Sequence, residues 1–168
     1  MIATTQLNLF DTPKPQEDAP AEQLQAQPVV ETRMEKASRI NRTLCHFTGT
    51  ESYHIWSALF PNVYMTDGAK YVADECGGHG AYWLMDVIGS VLVSYRKEYI
   101  RAGLSVWKLV VTGSSGKVTA ENGNGKVLYT QDIPFTDFDL DSITLWVETG
   151  ATPTPGEVAF VILLPSEH

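Results

Sequence analysis

The hydrophobic pattern of residues 81–101 is typical of a buried helix. The first half of this segment is apolar on nearly all sides, which predicts a central helix of the core. Its polar positions recur at helical spacing and form one stripe: Asp86, Ser90, Ser94, Lys97 and Arg101. A shorter helix is expected over residues 69–75, with Asp67 as its N-cap, because the sequence Thr66-Asp67-Gly68 is typical of a helix start.

After Gly103 the hydrophobic pattern changes to a period of two, which predicts strands. Glycine-rich turns at 113–116 and 122–125 separate the first three of them. The expected strands cover 105–111, 117–121, 126–133, 143–148 and 158–164. Helices followed by a strand meander predict an α+β domain, an antiparallel sheet of about five strands with helices packed on one face. We expect its core to contain Trp83, Leu84, Ile88, Trp107, Leu109, Val161 and Leu163.

The composition changes near residue 42. Residues 1–42 contain five Gln, four Pro, a single aromatic residue (Phe10) and no Gly. Such a segment buries too little apolar surface to offset the entropy of ordering it. The sequence therefore predicts a disordered arm over 1–42, in which 30–42 is compatible with a short helix, and one domain over 43–168.

Charge and cysteine content exclude several classes of protein. The net charge of −8 argues against a protein that binds nucleic acid directly. No apolar run reaches the ~20 residues of a membrane span, and the first residues lack the pattern of a secretory signal. Two cysteines are too few for a disulfide scaffold. We expect a cytoplasmic protein.

The most specific short motif is the peptide Gln6-Leu7-Asn8-Leu9-Phe10. It resembles the peptide with which bacterial polymerases, repair factors and mobile-element proteins bind the replication sliding clamp. The resemblance implies that Leu9 and Phe10 fill an apolar pocket, while Gln6 hydrogen-bonds its rim and Leu7 occupies a second hollow. The alternative is that these apolar side chains pack on their own domain or have no role.

Metal binding and catalysis have weaker support in the sequence. Cys76-Gly77-Gly78-His79 has a ligand-like spacing and Cys45-His46 offers two more donors, but adjacent side chains rarely reach one tetrahedral site. We therefore expect no metal and no cofactor, with both cysteines buried. An acid–base enzyme would have to use His46, Asp67 and Asp86, and each of the three has a simpler structural explanation.

An acidic segment late in the chain is a candidate protein-binding face. Four aspartates and two phenylalanines crowd residues 132–141: Asp132, Phe135, Asp137, Phe138, Asp139 and Asp141. Exposed aromatics on an acidic surface are typical of a protein interface or of a mimic of nucleic-acid charge. The alternative, which we favour, is a solvated loop anchored to the core by its two phenylalanines.

The domain also resembles an uncharacterised bacterial family carried by plasmids, phages and integrated elements. The resemblance rests on HFTGTE (46–51), TDGAKY (66–71), AYWLMD (81–86) and LPSE (164–167). It implies a genomic context and no particular reaction. We expect a non-enzymatic interaction protein of a mobile element, tethered to the sliding clamp. The alternatives are an acidic inhibitor of a host defence enzyme and, less favoured, a small enzyme.

Overall fold

The described residues of this α+β protein form four helices and seven strands. The computed structural model describes residues 31–152 and 155–168. The helices are α1 (Arg33–Leu44), α2 (Asp67–Glu75), α3 (Tyr82–Ser94) and α4 (Arg96–Ala102), and a single 3-10 turn covers Pro165–Glu167. Of the helices in these two ranges, none has the length and apolar character that crossing a bilayer requires.

One mixed sheet of seven strands holds the described residues together. The strands are β1 (His54–Ile55), β2 (Val63–Met65), β3 (Leu104–Thr112), β4 (Ser115–Asn122), β5 (Val127–Ile133), β6 (Ser142–Ala151) and β7 (Val158–Leu163). Their order across the sheet is β1-β2-β7-β6-β3-β4-β5. Only β2 and β7 pair in parallel, and the other neighbours are antiparallel. The α+β prediction is confirmed, with seven strands in place of about five.

The core lies between α3 and one face of the sheet. Trp107 and Leu109 of β3 and Leu145 of β6 point inward and are buried. Together with Leu84 and Ile88 of α3, they line the same small internal space. Alternate residues of β3 are more exposed, as the strand period requires.

Two of the expected core residues are placed differently by the structure. Trp83 and Val161 are only partly buried, whereas Leu84 and Leu163 are buried. Trp83 lies beside the buried face of α3. In the sheet, Val161 of β7 lies between its register partners Tyr64 of β2 and Glu148 of β6. Ile88, the third core residue expected on α3, is also buried, so the buried face of this helix was predicted correctly apart from Trp83.

The long helix expected over 81–101 is two helices. The backbone leaves the helical conformation at Tyr95, with φ −115° and ψ 32°. Beyond this break, Tyr99 of α4 is buried and stacks on Trp107, with ring centroids 5.8 Å apart. This ring contact attaches α4 to β3.

The structured part of the chain begins upstream of the boundary expected between residues 42 and 43. Helix α1 starts at Arg33 behind a capping box, in which Thr32 and Glu35 bond each other's backbone N–H. Ile40 of α1 is completely buried in the core. Its burial supplies the apolar contact that the composition of 1–42 as a whole did not indicate.

Candidate functional site

The start of α2 holds a hydrogen-bonded site built around the carboxylate of Asp67. Asp67 does not cap the helix as expected. The N-cap is Thr66, whose hydroxyl accepts the N–H of Ala69 at 3.4 Å. Asp67 is instead the first helical residue, which leaves its side chain directed at the segment before β1 and at β1 itself.

Four donors surround this carboxylate. Oδ2 accepts the backbone N–H groups of Glu51 and Ser52, at 2.9 and 3.1 Å, and lies 3.2 Å from the hydroxyl of Thr50. Oδ1 lies 2.8 Å from Nε2 of His54, whose ring is one-third exposed. The Thr50 hydroxyl in turn accepts the backbone N–H of Asp67 at 3.1 Å. These bonds attach residues 50–54 to the end of α2.

The same donors set the ionisation of Asp67. The hydrogen bond from His54, followed by those from the backbone of Glu51 and Ser52 and from Thr50, lowers the pKa of Asp67 to about 2. At neutral pH the group is therefore a carboxylate and a hydrogen-bond acceptor. A group with so low a pKa is a poor general base near neutral pH.

A surface cavity of about 530 Å³ lies beside this carboxylate. Its lining contains His46, Phe47, Thr48, Gly49, Thr50, Glu51 and Asp67. Phe47 anchors the loop on α2 through Tyr71, with ring centroids 5.5 Å apart. Because two carboxylates and one imidazole line the cavity, its charge suits a cationic group better than a phosphate.

A second carboxylate, that of Glu167, accepts hydrogen bonds from the same end of α2. Glu167 is buried and accepts the Thr66 hydroxyl at 2.5 Å, the Gly68 N–H at 2.9 Å and the Leu164 N–H at 3.0 Å. A Cβ at Gly68 would lie 2.6 Å from Oε2 of Glu167, so the position has no room for a side chain. The TDG and LPSE motifs are thus two halves of one structural contact.

The acidic segment 132–141 is divided between internal and external roles. Asp139 is buried, accepts the N–H of Gly77 at 2.7 Å and pairs with Lys36 at 2.8 Å. Asp137 accepts the N–H of Gly78 at 2.7 Å. These two carboxylates hold the glycine-rich turn after α2, where Gly77 has φ +84°.

The remaining members of this segment are exposed, apart from one aromatic anchor. Phe138 is buried in the core, whereas Phe135 is 73% exposed. Asp132 pairs with Lys117 at 3.2 Å, and Asp141 lies 3.8 Å from Arg33, with both carboxylates largely exposed. One phenylalanine anchors the loop and the other does not.

The residues predicted for catalysis and for metal binding do not form one site. His46 and Asp67 line the same cavity, but Asp86 is outside that lining and accepts the indole N–H of Trp56 at 3.0 Å. Cys76 is buried, and Cys45 is exposed at the end of α1. In residues 31–152 and 155–168, no three His, Cys, Asp or Glu side chains are grouped as a metal site. The peptide Gln6–Phe10, with Leu7 and Leu9, lies outside the described residues.

Sequence reasoning missed His54, Trp56 and Leu59. Trp56 stacks on Tyr82, with ring centroids 5.6 Å apart and planes within 13°. Leu59 is 81% exposed in the turn that follows. The available signal was the density of large apolar residues in 53–60, a segment with neither helical nor strand period.

Comparison with known proteins gives a family and a solved structure with weak similarity. The model of a family described as "Family of unknown function (DUF6876)" matches residues 38–168. A solved structure described as the crystal structure of the protein of unknown function from Enterococcus faecalis is 18% identical, with a TM-score of 0.45. That alignment covers 70% of this chain and 98% of the other. None of the curated proteins matches.

Proposed function

Because the chain belongs over residues 38–168 to this family of unknown function, we propose its function from its own residues: a non-enzymatic interaction protein. It works in the bacterial cytoplasm on behalf of a phage or other mobile element. The peptide Gln6–Phe10 tethers it to the replication sliding clamp. The observation that carries the proposal is the match of all five residues of this peptide to the clamp-binding pattern.

The geometry of the domain supports a binding role over a catalytic one. The residues proposed for acid–base chemistry have structural partners: Asp67 holds residues 50–54, and Asp86 fixes the ring of Trp56. The low pKa of Asp67 keeps it charged across the neutral range. Meanwhile Tyr53, Ile55 and Leu59 are 63, 71 and 81% exposed within one short segment, and such exposure is typical of a surface that meets another protein.

Titration of purified sliding clamp with a peptide covering residues 2–13 tests the tether. Burying one leucine and one phenylalanine contributes about 25 cal/mol per Å², and ordering the peptide offsets much of it, so we expect an affinity of about micromolar. Leu9→Ala combined with Phe10→Ala removes both anchors and should abolish binding, whereas Asp11→Ala should bind as the parent does. Equal binding by the double variant would show that the match is coincidental.

A second candidate is an acidic inhibitor of a nucleic-acid-binding defence enzyme. The observation that favours it is the exposure of Phe135, which lies in the sequence between two aspartates with exposed carboxylates, Asp132 and Asp141. The two buried or bonded aspartates, Asp137 and Asp139, reduce the free charge of this face. Asp132→Asn with Asp141→Asn should weaken such inhibition and leave clamp binding unchanged, which separates the two candidates.

A further inference from the structure

We propose that Trp56, Leu59, Tyr82 and Asp86 form a docking surface for a protein segment that presents an arginine beside an apolar side chain. We call these four residues the Trp56 surface. The proposal goes beyond clamp binding, because its residues belong to the turn before β2 and to α3. Neither element contains any part of Gln6–Phe10.

The two aromatic rings of the surface are held in fixed positions. They stack with centroids 5.6 Å apart, and Tyr82 is 42% exposed. Each ring donates its polar hydrogen to a carboxylate: Trp56 Nε1 to Asp86 at 3.0 Å and Tyr82 Oη to Asp74 at 3.1 Å. Rings fixed before binding lose little conformational entropy when a partner covers them.

Leu59 projects from a turn that is itself well anchored. The Phe60 N–H bonds the Ser57 carbonyl at 3.1 Å, and the Leu59 N–H bonds the Ser57 hydroxyl at 3.2 Å. Phe60 packs so closely on Gly89 of α3 that an added Cβ would lie 2.9 Å from its ring. The 81% exposure of Leu59 is therefore a property of a fixed turn, and a partner that covers this side chain would bury apolar surface with little loss of conformational entropy in the turn.

Asp86 provides the charge that selects an arginine. Its Oδ1 accepts from Trp56, and among the residues the structure describes none donates to Oδ2. Asp86 is exposed on α3, so its carboxylate is accessible to a partner. A guanidinium group stacks on an aromatic face and donates to a carboxylate at the same time, whereas the ammonium of lysine is a compact, strongly hydrated charge.

The charge of the whole chain favours the same partner. The net charge is −8, so a basic protein segment is attracted at long range and an acidic one is repelled. An apolar side chain next to the arginine would then cover Leu59. The two contacts together define the recognised pair: an arginine and an adjacent apolar residue.

Selection of random peptides displayed on phage particles against the immobilised full chain tests this proposal. We expect the enriched peptides to carry arginine next to an apolar residue. Synthetic versions should bind Asp86→Asn about ten-fold more weakly, the loss expected for one charge-assisted hydrogen bond. Leu59→Ser should also weaken binding. Both substitutions are at exposed positions, and the amide oxygen of Asn still accepts from Trp56.

Two control variants distinguish binding at the Trp56 surface from non-specific electrostatic or hydrophobic binding elsewhere on the protein. Asp141→Asn removes an exposed carboxylate from the acidic segment, and Val127→Ser removes an apolar side chain that is 55% exposed on β5. Both should bind the peptides as the parent does. The proposal is overturned if no peptide is enriched, if the enriched peptides lack arginine, or if Asp86→Asn binds them as tightly as Asp141→Asn. Leu9→Ala with Phe10→Ala should bind them normally, so failure of the clamp proposal is a separate result.

Discussion

The carboxylate of Glu167 accepts the backbone N–H of Gly68 at 2.9 Å, across 99 residues of sequence. The same carboxylate accepts the Thr66 hydroxyl and the Leu164 N–H, so one side chain satisfies donors at the start of α2 and at the end of β7. Burial makes these bonds matter, because an unpaired donor at this position would have no access to water.

Glu167→Gln should destabilise the domain. The amide has only one oxygen, and its NH₂ group would face at least one of the three donors. Leaving a buried donor unsatisfied costs about 1–3 kcal/mol. Urea denaturation of the variant should show a lower midpoint at unchanged slope. Ser166→Ala, at the exposed neighbouring position, should match the parent, and equal midpoints for both variants would contradict the assignment.

Gly68→Ala should also destabilise the fold, by a steric route. The new Cβ would clash with Cδ1 of Leu164 and lie 2.6 Å from Oε2 of Glu167, so these buried side chains would have to move and the hydrogen bonds of Glu167 would be disturbed. Gly150→Ala is the matched control, since a Cβ there meets nothing within 4 Å. Thermal unfolding should give a lower Tm for Gly68→Ala only. A Tm equal to that of the control would mean that the contact relaxes freely.

Acid should weaken the domain through Asp67. The pKa of Asp67 is about 2 in the folded chain, below the roughly 3.9 of an unfolded aspartate, so the unfolded state binds the proton more readily. The contribution of Asp67 to stability is therefore complete above about pH 4 and is lost as pH falls towards 2. Asp67→Asn should flatten the stability curve in that window, measured by chemical denaturation at a series of pH values. Asp141→Asn should keep the parent's acid limb; a parallel curve for Asp67→Asn would contradict the prediction.

Trp107 should be the most costly tryptophan to truncate. It is 2% exposed, stacks on Tyr99 at 5.8 Å between centroids, and contacts the tilted ring of Tyr129 at 6.1 Å. Trp107→Ala should cost about 3–5 kcal/mol through lost packing. Trp83→Ala should cost less, because Trp83 is only partly buried. Denaturant unfolding of the two variants gives the ranking directly, and a larger loss at Trp83 would reverse it.

Long elements with a clear period could be predicted from the sequence, and short ones could not. Strands β3 to β7 alternate or are continuously apolar, and each was predicted. Strands β1 and β2 have two and three residues, too few to show any period. No proline or glycine marks the break at Tyr95, so the hydrophobic pattern predicted one continuous helix where the structure has two.

The candidate site was visible only in part. Asp67 stood out because it begins a helix, but its hydrogen-bond partners lie 13 to 17 residues earlier, in β1 and in the loop before it. Thr66 and Asp67 are both good N-caps, and only the fold shows that Thr66 takes this role. The stacking of Trp56 on Tyr82 likewise depends on where the 56–60 turn lies along α3, which no local pattern specifies.

The position of β7 between β2 and β6 has a consequence for the newly made chain. During synthesis on the ribosome, strands β1 and β2 and then strands β3 to β6 emerge as two separate groups, because β7 is the strand that pairs with both. Until residues 158–163 emerge, the facing edges of β2 and β6 carry unpaired N–H and C=O groups. A nascent chain stalled before Val158 would therefore expose two unpaired strand edges, which can pair with other chains. We expect chaperones to contact the chain mainly before residues 158–163 leave the ribosome, because β7 is the last strand to join the sheet.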